Sequence, residues 1–116
     1  MKTESVFARL RRSQAAAYER APAIREIFDR AGLKPADLKT TDDLARLSVF
    51  KKEALLAQQR ENPPFGGFLA AREEDIARIF VSPGPINEPQ FKGESDGHGF
   101  ARVFSAANVG PGDLAL

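Results

Sequence analysis

The sequence predicts a mixed α/β fold, helical over residues 1–71 and strand-containing over residues 72–116, with both parts belonging to one incomplete domain. Three observations predict it. The chain opens with an amphipathic stretch that includes three consecutive alanines, Ala15 to Ala17, and alanine is the strongest helix former. The β-prone run Ile79-Phe80-Val81 then breaks into a segment with three prolines and one glycine between Pro83 and Pro89. Near the end, Phe100, Val103, Phe104 and Ala107 recur at i, i+3, i+4 and i+7, which is one face of a helix.

Composition narrows the class. At 116 residues the chain is one small domain or a piece of a larger one. Its 42% apolar content suffices for a core, but no apolar run approaches the ~20 residues of a membrane span. The first apolar residues are interrupted by polar ones, unlike a secretory leader. Cysteine is absent, which excludes disulfides and thiolate chemistry and is compatible with a reducing, cytoplasmic setting. Seventeen Lys and Arg against sixteen Asp and Glu leave a net charge of +1, with no general attraction to nucleic acid or acidic lipid. Arg9, Arg11 and Arg12 lie near Lys2 and Arg20, with Phe7 interleaved. That pattern suits a solvated helix face better than a phosphate-backbone surface.

In chain order, residues 5–18 form the first helix, with Val6 and Leu10 as an i, i+4 pair. Pro22 suits the first turn of a second helix, whose stripe is Ile24, Ile27, Phe28 and Ala31. Gly32 is placed as its C-terminal cap, and Pro35 prevents continuation. Thr40 or Thr41 caps a short helix with Asp42 or Asp43 in its first turn. Ser48 is expected to cap the next helix, over residues 51–59, with Phe50 and Leu55 or Leu56 as anchors and Lys51 and Lys52 solvated. Pro63-Pro64 and Gly66-Gly67 make residues 60–71 irregular, with Phe65 and Phe68 packing under the following strand. Residues 72–75 read as a turn, and Ile76 begins the run that delivers Ser82 into a stiff loop lasting to Pro89. Gln90-Phe91 reads as a further short strand, and residues 92–99 are polar and glycine-rich. Burial of Phe100 and Phe104 on the last helix is expected to contribute roughly 3–6 kcal/mol before ordering costs. Gly110-Pro111-Gly112-Asp113 ends that helix, and Leu114-Ala115-Leu116 looks like the opening of another strand.

Six stretches, in this order, carry a resemblance: Tyr18-Glu19-Arg20-Ala21-Pro22, Phe28-Asp29-Arg30-Ala31-Gly32, Thr41-Asp42-Asp43-Leu44-Ala45-Arg46-Leu47, Lys51-Lys52-Glu53, Pro64-Phe65-Gly66, and Arg78-Ile79-Phe80 leading into Ser82-Pro83-Gly84. The region from about Tyr18 to Asp113 resembles the N-terminal part of phenylacetate–coenzyme A ligase-like enzymes of the adenylate-forming (AMP-binding) superfamily. The resemblance implies that residues 72–116 begin an α/β nucleotide-binding region. It covers about a quarter of such an enzyme and implies a fragment inactive alone, without the adenine- and ribose-binding residues. The implied reactants are ATP with magnesium, coenzyme A, and an aryl or related carboxylic acid.

The resemblance places the phosphate-binding loop at Ser82, Gly84, Ile86, Asn87 and Glu88. Such a loop compensates phosphate charge with backbone N–H groups, hydroxyls and a cation. Here Pro83 and Pro85 remove two N–H donors, and Glu88-Pro89 stands where the resembled loop ends in Lys-Pro. A carboxylate ~5 Å from one phosphate charge costs about 3 kcal/mol at an effective dielectric near 20. Altered nucleotide handling follows. The pattern Gly-x4-Gly-Lys-Ser/Thr is absent, which argues against a P-loop NTPase. His98, the one histidine, has Glu94 and Asp96 nearby but no cysteine to join it, and reads as a loop residue rather than a metal ligand. No set of catalytic residues is assigned. The competing reading is a noncatalytic module that binds itself or another protein through apolar faces around Phe50, Phe100 and Phe104.

Overall fold

Helix α1 (Val6–Arg20) begins where the Ser5 hydroxyl accepts the Ala8 amide hydrogen at 3.2 Å, in the manner of an N-cap. The structure, a computed structural model, describes residues 5–93 and 99–114. Helix α2 (Pro22–Arg30) starts on a proline, which loses nothing there because the first helical N–H has no intrahelical partner. It ends as expected at Gly32, whose φ is +62°. The Gly32 N–H reaches the Asp29 carbonyl at 3.1 Å and the Leu33 N–H reaches that of Phe28 at 3.0 Å. This Schellman closure turns Leu33 back onto Phe28.

The buried cluster Phe28, Leu33 and Leu38 is the core of the helical part, with Leu10, Tyr18, Ile24 and Leu47 packed around it. The Tyr18 ring meets Phe28 edge-on at 5.9 Å, and its hydroxyl donates to Asp29 Oδ1 at 2.6 Å. Lys34 Nζ also donates to Asp29, at 2.8 Å, and to the Tyr18 hydroxyl. Lys34 and then Tyr18 hold the Asp29 carboxyl below its ordinary range, while Asp29 raises the Lys34 ammonium. Arg11, one of the clustered basic residues, donates to the Leu38 carbonyl at 3.0 Å and so ties α1 across the core.

Helix α3 (Thr41–Ala45) carries a capping box. The Thr40 hydroxyl accepts the Asp43 N–H at 3.3 Å, and Asp43 Oδ2 accepts the N–H groups of Thr40 and Lys39 at 2.9 and 3.0 Å. The Lys39 N–H, followed by Thr40, lowers the Asp43 pKa below the ordinary 3.8. Its stabilising effect is therefore complete above the unfolded value and disappears as pH falls through the folded one. Circular-dichroism melts between pH 2 and 7 are expected to show Tm falling at the acid end. Asp43→Asn should lower the neutral-pH Tm and flatten that fall; an unchanged acid profile counts against the carboxylate's role.

Ser48 does not cap the next helix. Helix α4 (Lys52–Glu61) starts after Lys51 and has no side-chain cap. Residues 48–50 are irregular, and Phe50 is held against Phe68 at a ring separation of 4.9 Å, so tertiary stacking overrides the local capping preference. The loop after α4 is irregular as expected. Phe65 is buried within it, and the Gly67 carbonyl accepts the Ala23 N–H at 3.1 Å, docking the loop on the start of α2.

Strand β1 (Ile76–Ser82) turns through Pro83-Gly84-Pro85 into β2 (Ile86–Phe91). The stiff loop expected to reach Pro89 is thus confined to three residues, and Ile86, Asn87, Glu88 and Pro89 belong to a strand. The strands pair antiparallel, with Ser82 opposite Ile86, Phe80 opposite Glu88 and Ile79 opposite Pro89. Alternate residues of an antiparallel strand turn their backbone groups away from the partner. Asn87 and Pro89 share that outward edge, where proline has no N–H to leave unpaired.

Helix α5 (Phe100–Ala106) forms where the stripe predicts, but the expected burial of its aromatic side chains does not occur. Phe100, Val103 and Phe104 are 57%, 59% and 49% exposed, because no described element lies over that stripe. Leu114 is exposed and outside any strand. Ala115, Leu116 and the 94–98 segment with His98 lie outside the described residues.

Candidate functional site at the hairpin turn

The hairpin is held from behind by α4. Gln59, 7% exposed, uses both ends of its side-chain amide on one strand residue. Its Oε1 accepts the Asn87 N–H at 2.8 Å and its Nε2 donates to the Asn87 carbonyl at 3.0 Å. The glutamine thereby substitutes for a neighbouring strand at the outward edge of β2. Asn87 Nδ2 donates to the Pro64 carbonyl at 2.9 Å, so both the backbone and the side-chain amide of Asn87 are engaged inside the fold. Sequence reasoning missed Gln59. The available signal is its position four residues after Leu55 and three after Leu56, on the apolar face of an amphipathic helix, where a polar residue needs an internal partner.

Sequence reasoning also left Lys52 in solvent. Its Nζ donates to the Pro83 carbonyl at 2.7 Å, and a Cβ built on Gly84, whose φ is +144°, would lie 3.4 Å from Lys52 Cε. The turn is therefore stiffened by two prolines and gripped from outside by an ammonium. Gly84 supplies the one amide hydrogen within Pro83-Gly84-Pro85, since proline has none. Ser82, at the end of β1, has a buried Oγ with no hydrogen-bond partner. Glu88 lies beyond the turn on β2, opposite Phe80, and its side chain is exposed.

Beside the hairpin runs an apolar groove of about 840 Å³, lined by residues that include Ala17, Phe50, Leu55, Phe68, Phe80 and Ile86, with Glu88 at its wall. Of the five residues expected at the phosphate loop, the structure brings Ser82 and Gly84 to the turn and its edge, puts Ile86 and Asn87 at its base, and sets Glu88 against the groove. Among the described residues no group of three or more His, Asp or Glu side chains could hold a metal ion, and no helix is long and apolar enough to cross a membrane.

No family model matches the sequence. The phenylacetate–coenzyme A ligase of Thermus thermophilus is 37% identical over 110 residues, covering 90% of this chain and 24% of that protein. The enzyme of the same name from Aromatoleum evansii is 40% identical over 85 residues, covering 73% of this chain and 18% of that protein. Among solved structures, 2-hydroxyisobutyryl-CoA ligase in the postadenylation state, in complex with 2-HIB-AMP, matches 93% of this chain and 24% of its own. The TM-score is 0.82 at 28% identity. The open conformation of that ligase, with 2-HIB-AMP and CoA, matches 74% of this chain and 19% of its own with a TM-score of 0.67 at 30% identity. The chain thus spans about a quarter or less of the length of the proteins it matches.

Proposed function

We propose, on the premise that the chain is homologous to the N-terminal region of phenylacetate–coenzyme A ligases and related acyl-CoA ligases, that it supplies the phosphate-facing turn of an AMP-forming carboxylate–coenzyme A ligase. The observation that carries this reading is the structural match over 93% of the chain to a ligase holding an acyl-adenylate. In the proposed reaction a carboxylate oxygen attacks the α-phosphorus of ATP, and pyrophosphate leaves. The thiolate of coenzyme A then attacks the acyl carbon and displaces AMP.

Within this chain, Gly84 offers an amide hydrogen to the nucleotide phosphates, and Ser82, whose Oγ is buried without a hydrogen-bond partner, must turn outward to add its hydroxyl. Ile86 and Asn87 form the rigid base of the turn, and Glu88 stands between turn and groove. Magnesium enters this reading as an ion carried in on the phosphates. An aryl or related carboxylic acid is the proposed acyl substrate, and a cytoplasmic setting is part of the same reading. The bonds from α4 to β2 support treating residues 1–71 and 72–116 as two parts of one domain.

A second reading, self-association without catalysis, is favoured by the exposed stripe of α5 and the open apolar groove. One experiment separates the two. Calorimetric titration with magnesium-ATP is expected to show saturable binding that weakens in Ser82→Ala, with light scattering on the same sample reporting mass. Absence of binding overturns the nucleotide reading, and a stable dimer in that sample favours the second.

A further inference from the structure

We propose that Lys52 is the cationic positioning residue of the hairpin turn, making a donor-poor turn competent to hold a condensed phosphate; this rests on the nucleotide reading above.

Two prolines strip N–H donors from Pro83-Gly84-Pro85 but leave all three carbonyls. Such a turn presents more acceptors than donors, and carbonyl dipoles directed at a polyphosphate repel it. Lys52 answers both deficits. Its ammonium takes up the Pro83 carbonyl at 2.7 Å, removing one acceptor from play and placing a positive charge at the turn. An ammonium has three donors, so two remain to meet phosphate oxygens after the Pro83 bond is made.

The placement is built into the fold. Lys52 and Gln59 are seven residues apart, two turns of α4, and so lie on one face of the helix. The face that locks Gln59 to Asn87 at 2.8 and 3.0 Å also presents Lys52 to the turn. Gly84 completes the fit, because the lysine stem occupies the space beside its missing side chain. A positive charge is therefore supplied to the turn by α4, 31 residues earlier in the chain, while the Glu88 carboxylate belongs to β2.

The test uses calorimetry with two probes, magnesium-ATP and magnesium tripolyphosphate, on the wild-type chain and on Lys52→Met and Lys52→Arg. Methionine keeps the stem against Gly84 and removes the ammonium, with both its charge and its hydrogen bond to Pro83. The expected result is binding of both probes about tenfold or more weaker in Lys52→Met, with a shallower salt dependence, and recovery to within about threefold in Lys52→Arg. Unchanged binding in Lys52→Met overturns the role of Lys52 and leaves the nucleotide reading standing. Equal losses in both variants, with altered hydrogen exchange along β1 and β2, overturn the charge role in favour of a purely structural one. Failure of the wild-type chain to bind either probe overturns both.

Discussion

Gln59→Leu is expected to destabilise the chain by about 2–4 kcal/mol, because it leaves the Asn87 N–H and carbonyl without the partners that now lie at 2.8 and 3.0 Å. Leucine is close to glutamine in size, so the apolar packing of α4 is retained and the loss falls on the hydrogen bonds. Gln59→Glu should cost at least as much at neutral pH, since it keeps an acceptor for the Asn87 N–H but buries a carboxylate whose other oxygen faces the Asn87 carbonyl. Urea unfolding gives the magnitude, and hydrogen exchange at the Asn87 amide gives the location. A wild-type urea midpoint in Gln59→Leu, with Asn87 still protected, would show that β2 does not depend on this side chain. The same variant bears on the proposed site. Gln59 fixes the base of the turn, so loosening it should weaken phosphate binding even though Gln59 itself is not at the turn.

Phe28→Ala is expected to cost about 3–5 kcal/mol, the range for emptying a large aromatic site in a packed core. Phe28 is 1% exposed and, among the described residues, shares its buried core cluster with Leu33 and Leu38. The loss is a large part of the 5–15 kcal/mol typical of a whole domain. Tyr18 is the one tyrosine and tryptophan is absent, so intrinsic fluorescence reports directly on the ring that meets Phe28 edge-on. Phe104→Ala is the contrast. That side chain is 49% exposed, and its truncation should stay within about 0.5 kcal/mol. Equal losses at Phe28 and Phe104 would mean that the α5 stripe is buried in solution, as in self-association.

These outcomes follow the division between local and distant interactions. Pro22 at the start of α2, the Gly32 closure and a threonine cap with an aspartate in the first turn of α3 were legible, because each involves residues within a few positions of one another, whereas the Ser5 cap and the choice of Thr40 with Asp43 came only with the structure. The order of the matching stretches was legible too, and the comparisons bear out that resemblance. Ser48 misled because a good capping residue says nothing about the stacking of Phe50 on Phe68, which delays α4. Pro89 misled because proline reads as a strand breaker unless its missing N–H is known to face outward.

At the candidate site, sequence alone determined the stiffness of the turn, its shortage of amide donors and the chemical types present in it, since these are covalent properties of Pro83, Gly84, Pro85 and Ser82. Only the tertiary structure decided that Gln59 would complete the edge of β2 and that Lys52 would bring a charge to Pro83. Those bonds span 28 and 31 residues. They exist only once the register of the hairpin and the rotation of α4 have set which side chains meet, and neither quantity is a property of any short stretch of chain.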